Sequence, residues 1–239
     1  MTDSTAVLEF DGITAGYGHS TVLRDLSFSV PRGQVVGCLG ANGVGKTTML
    51  RVAAGLLRPL AGRVIVDHRE ATRAAPHERV KAGICLIPEG RGIFRSLTVA
   101  ENLRVHQPPW VHNHDRVDAA VDAFPVLANR RNQVAGSLSG GEQQMLALAR
   151  AWLASPRLVM VDEASMGLSP RMVDVVFSAL NKLVAQGVAL LIVEQYVNLV
   201  LDLADRILVL DKSGIRFSGK PSDLDADELA QAYLGDRAS

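Results

Sequence analysis

Cysteine, net charge and long apolar runs are all scarce or absent in this chain. Two cysteines, Cys38 and Cys85, stand among 239 residues. Each lies in a short apolar run that reads as a buried strand, with no partner at metal-ligand spacing, so both are read as reduced core thiols. The 25 basic residues equal the 25 acidic ones in number and form no polybasic run, which argues against a face for nucleic acid or lipid headgroups. No apolar stretch approaches the roughly 20 residues that span a bilayer. The N-terminal Met-Thr-Asp-Ser-Thr-Ala lacks the charged and apolar regions of a signal peptide. A cytosolic chain is expected, reaching a membrane only through a partner. Internal repeats and low-complexity tracts are missing as well.

What remains is ordinary globular composition, 48% hydrophobic and 21% charged, which excludes a disordered chain. The length suits one large α/β domain, or such a core with a smaller subdomain inserted. Residues 7–10 and 26–30 read as strands around a Gly-rich turn at Gly16-Tyr17-Gly18. Residues 35–39 form a continuous apolar strand, and 47–57 a helix stopped near Pro59. Residues 63–67 and 84–87 read as strands, with polar segments between them. Beyond about residue 92 the pattern turns helical. Thr98 and Glu101 have capping-box spacing, 107–115 is a loop, and 116–124 is a helix broken by Pro125. A longer helix starts near Ser139. Alternation then resumes, with strands over 158–161, 188–193, 207–210 and 215–218 and helices over 171–185, 197–203 and 227–234. This alternation predicts an α/β fold whose mostly parallel sheet carries helices on both faces.

Three segments carry chemistry. Gly40, Ala41, Asn42, Gly43, Val44, Gly45, Lys46 and Thr47 match the phosphate-loop pattern completely, between an apolar strand and a helix that continues through Thr48. Glycines let successive N–H groups curl towards phosphate oxygens, and the helix N-terminus adds positive potential. Lys46 supplies a point charge to the β- and γ-phosphates, and the Thr47 hydroxyl is placed to ligate Mg²⁺. The loop alone does not choose among kinases, GTPases and transport ATPases. Second, the apolar strand over 158–161 ends in Asp162 and Glu163. Asp162 is placed to hold Mg²⁺, and Glu163 to orient or deprotonate an attacking water. Third, Leu138-Ser139-Gly140-Gly141-Glu142-Gln143-Gln144 has a Ser-x-x-Glu capping box ahead of a helix with Met145, Leu148, Ala149, Trp152 and Leu153 on one face. Two glycines at a helix start cost stability unless something approaches the backbone, and a phosphate is the natural candidate.

With these motifs in this order the chain resembles the nucleotide-binding subunits of ABC transporters over essentially its whole length. The resemblance implies a P-loop NTPase core with a mostly parallel sheet, an N-terminal antiparallel β-subdomain and an inserted helical subdomain. The expected division is one domain over 1–239, with the α/β core and β-subdomain in 1–91 and 155–239 and the helical part in about 92–154. It also implies ATP and Mg²⁺ as ligands and a second such subunit paired head to tail, so that Ser139, Gly140 and Gly141 close on ATP held by the partner's loop. Permease subunits would stand in the membrane, with an extracytoplasmic solute-binding protein beyond them. Tyr17 falls where the family stacks a ring on adenine. Residues 88–94, 138–146, 193–195 and 232–235 look like the branched-chain amino acid importer branch, most like the smaller of its two paired ATPase subunits.

Departures from the common family pattern sharpen this. Glu89 stands where most members carry Gln, adding a carboxylate near Mg²⁺. Gln195 stands at the switch position where most carry His, so it can hydrogen-bond a phosphate oxygen but cannot carry positive charge. Both are typical of the importer branch. Ala164 replaces a usual Pro, and Ser169 a common Asp. The pair at 89 and 195 implies an asymmetric engine in which the partner's site is the better equipped. An exporter or lipid-extraction ATPase is the alternative reading. A soluble ABC protein acting on ribosomes or DNA fits neither the single domain nor the neutral charge, and a small-molecule kinase leaves residues 138–142 unexplained. His106, His112 and His114 are read as a solvated loop after Leu103. Arg91 and Arg95 are candidates to line a groove where a permease helix docks, and Trp110 packs on the helical part or touches a partner.

Overall fold

The computed structural model describes residues 6–107, 109, 115–225 and 229, so Trp110, His112, His114, the helix expected over 227–234 and the segment 232–235 lie outside the described residues. In chain order, β1 (Ala6–Tyr17), β2 (Ser20–Pro31) and β3 (Val35–Leu39) lead into α1 (Lys46–Ala53). Next come β4 (Ala61–Val66), β5 (Arg69–Glu70), α2 (Pro76–Lys81) and β6 (Ile84–Ile87). Four helices come after these, α3 (Val99–His106), α4 (Asp115–Ala123), α5 (Pro125–Ala128) and α6 (Gly140–Ala154). The chain then alternates through β7 (Leu158–Asp162), α7 (Pro170–Val184), β8 (Ala189–Val193), α8 (Val197–Leu203), β9 (Arg206–Asp211) and β10 (Gly214–Gly219).

Two sheets result. One is antiparallel, in the order β2-β1-β4-β5. The other runs β10-β9-β3-β8-β7-β6, parallel throughout except for β10 at its edge. The central strands are apolar at almost every position because both faces are covered. Val35, Val159, Val161, Leu190 and Ile192 pack into a core shared with α6 and α7. Their neighbours in sequence, Val36, Leu158, Met160, Leu191 and Val193, pack with the antiparallel sheet and α1 on the other side. Since side chains alternate along a strand, one sheet thereby joins two cores. The C-terminal ends of β6, β7, β8 and β3 lie side by side, and loops leaving such ends form the ligand crevice of open α/β sheets.

Several elements differ from the sequence-based expectation, each for a local reason. β1 and β2 run far past the four or five alternating residues that mark them, because bulges between Phe10 and Ile13 reset the alternation. The turn between them is Gly18–His19, so Tyr17 ends β1 rather than sitting in the turn. The helix expected to reach 57 stops at Ala53: Gly55 takes φ 73°, the Leu56 N–H donates to the Arg51 carbonyl (2.8 Å) and the Gly55 N–H to that of Val52 (3.1 Å). That is a Schellman stop. α2 forms in a stretch whose composition shows only polarity, started by Pro76 at its first turn. Pro125 breaks one helix and starts α5 at the same point. His106 ends α3 instead of lying in a loop, where its Nδ1 is 2.7 Å from the Asn102 carbonyl and its ring 5.2 Å from that of Phe94. α6 is buried almost all round, not on one face, because α3, α4, α5, α7 and β6 all pack on it. Cys38 is buried, while Cys85 is partly buried along β6, and both are free thiols.

Candidate nucleotide site

The loop after β3 is shaped by backbone. Gly40 takes φ 148° and a Cβ there would lie 2.3 Å from the Leu210 carbonyl oxygen. Gly43 takes φ 81° in open space, so conformation alone demands glycine there. Lys46 folds back along the loop, donating from Nζ to the carbonyls of Gly40 (2.6 Å) and Ala41 (2.9 Å). An ammonium has three donors, so one is left for a phosphate. Lys46 is buried, which lowers its pKa, while Cys38, Glu163 and Asp162 act the other way. Val44 is buried and anchors the loop from below.

The strand ends supply the other wall. A cavity of about 460 Å³ is lined by Asn42, Lys46, Thr47, Glu89, Glu163 and Gln195, together with Gly43, Gly45 and Thr48 of the loop and the apolar Val22 and Met166. Glu163 sits at φ 51°, a left-handed conformation costing a non-glycine residue about 1–2 kcal/mol. Its N–H is held by the Val193 carbonyl at 2.9 Å. The Gln195 amide donates to Glu163 Oε1 at 3.0 Å and to Asn42 Oδ1 at 3.2 Å, bridging the acid and the loop. Asp162 lies beneath, only 4% exposed, and its Oδ1 is buried without a hydrogen-bond partner. Burial raises its pKa, the Thr47 hydroxyl opposes that rise, and the charges of Glu163 and Glu89 add to it. An orphaned carboxylate oxygen beside a hydroxyl is the donor set a hard divalent cation takes, so Asp162 and Thr47 fit Mg²⁺. Glu89 is exposed at the rim.

The ABC transporter family model matches residues 23–166. The high-affinity branched-chain amino acid transport ATP-binding protein BraG of Pseudomonas aeruginosa is 36% identical over 96% of this chain and 100% of its own length. The probable branched-chain amino acid transport ATP-binding protein LivF of Archaeoglobus fulgidus is 35% identical, covering 89% of this chain and 91% of that protein. The chain belongs to the ABC transporter family. In three dimensions it superposes on a nucleotide-free ATP-binding cassette from an ABC transporter with a TM-score of 0.80 at 25% identity, over 97% of this chain and 96% of that one. It is an ATP-binding, ATP-hydrolysing subunit that works in transport, and no helix among the described residues is long and apolar enough to cross a membrane.

The ABC signature segment stands apart from the loop of its own chain. Ser139, Gly140 and Gly141 do not line the cavity. The capping box is complete: the Ser139 N–H donates to Glu142 Oε2 (2.8 Å) and the Glu142 N–H to Ser139 Oγ (3.3 Å). Met172 packs on Gly141, where a Cβ would lie 2.3 Å from its Cε and 2.8 Å from its Cγ, so a larger residue there would require that flexible side chain to move. Tyr17 is exposed, also outside the cavity lining, and its hydroxyl accepts from Arg51 at 3.0 Å.

Side-chain pairings that no sequence motif predicts tie the segments of the ABC site together. Arg91 donates to Gln143 Oε1 at 2.6 Å, and Arg150 of α6 donates to the carbonyls of Arg91 (3.1 Å) and Gly92, so the segment after Glu89 is tied to the signature helix. Asn102 gathers the 94–98 loop, with bonds to the Phe94 N–H and to the carbonyls of Phe94, Leu97 and Thr98. Buried Arg79 reaches the carbonyls of Ala53 and Ala71, at the end of the helix that the phosphate loop begins. A groove of about 570 Å³ between β6 and α6 is lined by Val80, Cys85, Arg91, Val105, His106 and Arg150 among others, and Arg95 is not among them.

Proposed function

We propose that this chain drives an importer for branched-chain amino acids or a related small solute, acting on ATP with Mg²⁺ from the inner face of the cell membrane. The observation that carries the chemistry is the Gln195 bridge between Asn42 and Glu163, which joins the phosphate loop to the acid in one cavity. The solute class comes from likeness to BraG and LivF, whose names state branched-chain amino acid transport. In this reading Lys46 and the loop N–H groups from 41 to 48 hold the β- and γ-phosphates, and Tyr17 stacks on adenine. Thr47 and Asp162 hold Mg²⁺, with Glu89 beside them; the ion would neutralise charge on the phosphates. Glu163 orients and deprotonates the water that attacks phosphorus, and Gln195 aims Glu163 with one amide hydrogen while the other turns from Asn42 to the γ-phosphate.

Ser139, Gly140 and Gly141 complete the site of a second ATPase subunit, head to tail, in a homo- or heterodimer. Permease subunits dock in the groove between β6 and α6, whose rim exposes Val80 and Val105, and a solute-binding protein delivers cargo on the far side. The test is reconstitution with the permeases and binding protein. Hydrolysis should rise when the binding protein carries leucine, isoleucine or valine; a response to another solute class alone would overturn the importer assignment. Glu163→Gln in this chain should cost less than the matching change in a paired partner, and equal losses would sink the asymmetry.

A further inference from the structure

Two carboxylates are buried among the described residues, Asp162 and Glu194. The first fits a cation. Glu194 is 1% exposed and does not line the cavity. A buried carboxylate is costly unless something is gained from it. Both its oxygens meet one residue across the sheet, Oε1 accepting the Ser165 N–H at 2.9 Å and Oε2 the Ser165 hydroxyl at 2.5 Å, and the Gln195 backbone N–H also bonds the carboxylate. Ser165 is itself 2% exposed. The regular ladder between β7 and β8 ends at Asp162 and Val193, so these bonds are not needed to pair the strands. They hold the turns beyond the strand ends.

The turn leaving β7 carries Glu163. That turn is fixed at one end by the bond from the Glu163 N–H to the Val193 carbonyl and at the other by Ser165 on Glu194. Between the two points Glu163 is held in its left-handed conformation, with the Met166 N–H closing on the Glu163 carbonyl at 3.3 Å. A strained conformation persists only where its surroundings over-determine it. Glu194 also precedes Gln195, whose amide bonds Glu163 Oε1. One buried side chain thus sets both the backbone under the acid and the start of the segment that aims it.

We propose that Glu194, through Ser165, is the positioning residue for Glu163 in ATP hydrolysis. This rests on the reading of Glu163 as the general base. The experiment measures kcat, KM and thermal unfolding of the assembled ATPase dimer, with the partner's own acid replaced where the two subunits differ, for Glu194→Ala, Ser165→Ala, their double variant and Glu194→Gln in this chain, with Glu163→Gln alongside. Glu194→Ala and Ser165→Ala should each lower kcat about tenfold with KM within about threefold, as expected when geometry at the reacting centre slips. The double variant should lose no more than Glu194→Ala alone. Glu194→Gln keeps an acceptor for the Ser165 N–H and gives a donor to its hydroxyl, so kcat should return to within about threefold of the parent. The proposal is overturned if either alanine variant keeps its kcat, if kcat falls only together with a matching rise in KM, if the losses multiply, or if Glu194→Gln is as slow as Glu194→Ala. Should Glu194→Ala not fold, Ser165→Ala and Glu194→Gln decide alone. A normal rate for Glu163→Gln would remove the base assignment itself, whereas an inactive Glu163→Gln beside unimpaired Ser165→Ala and Glu194→Ala would remove only the positioning role.

Discussion

The loop at residues 40–48 and the strand ends at 162–166 and 193–195 face each other across one cavity, but they keep their shapes by different means. The loop relies on backbone: glycines at φ values closed to other residues, a lysine bonded to two loop carbonyls, and a helix start behind. The strand ends rely on side chains from two separated stretches of sequence, Gln195 on Glu163 and Glu194 on Ser165. Phosphate binding needs a concave set of donors that any substrate phosphate can use, and a contiguous turn makes one. Hydrolysis needs one oxygen aimed at one water, and aim requires cross-links. Damage to the loop should therefore appear in binding, and damage to the strand ends in turnover.

Lys46→Ala is the strongest break expected. It removes the point charge at the phosphates and frees two loop carbonyls, and ATP affinity should fall about 100-fold, or about 3 kcal/mol. Equilibrium binding measures it, and tight binding by this variant would contradict the division of labour. Gln195→Ala is the milder counterpart on the other wall. It deletes one bond to the Glu163 carboxylate and the one shared between Asn42 and the γ-phosphate, so kcat should fall about tenfold while nucleotide affinity falls no more than about fivefold. Steady-state kinetics with a binding titration separates the two. A loss of affinity equal to the loss in rate would mean that Gln195 serves the loop more than the acid.

The same contrast explains how far the sequence is legible. Residues 40–47 declare themselves because every requirement, from φ to charge, is met within one short run. The apolar strands and the capping boxes at Thr98 and Ser139 are legible for the same reason, each being a local pattern. Asp162 and Glu163 are readable only because they end an apolar strand. Ser165, Asn102 and Arg79 escape, and so do the pairings of Glu194 with Ser165 and of Gln143 with Arg91, since these partners stand 29 and 52 residues apart and Arg79 and Ala53 26, while Asn102 acts on a loop with no pattern of its own. α2 escapes because its helix start is a proline in a polar stretch, with one buried arginine as its only core residue. Gly141 reads from sequence as an approach site for phosphate, and its packing against Met172 is visible only in three dimensions.

The smallest effect expected is on stability, and it sharpens the comparison from the side of cost. Asp162 belongs to the hydrolytic wall, yet its Oδ1 is buried with no hydrogen bond. Burial holds its pKa above the usual carboxylate value. The folded state therefore binds that proton more tightly than the unfolded chain does. This contribution is fully present below the unfolded pKa and is lost as pH rises through the raised folded value, so at neutral pH without a metal ion the carboxylate is a liability. Asp162→Asn removes the charge and leaves the shape. In the absence of Mg²⁺ the variant should gain about 1 kcal/mol at neutral pH, raising Tm by about 2–4 °C, and the gain should shrink as pH is lowered towards the acid range where the parent takes up its proton. Mg²⁺ with ATP should stabilise the parent and do little for the variant. If instead Asp162→Asn unfolds at lower temperature at neutral pH without metal, Oδ1 as well as the oxygen bonded by Thr47 is satisfied within the fold, and the cation has no orphaned oxygen to take.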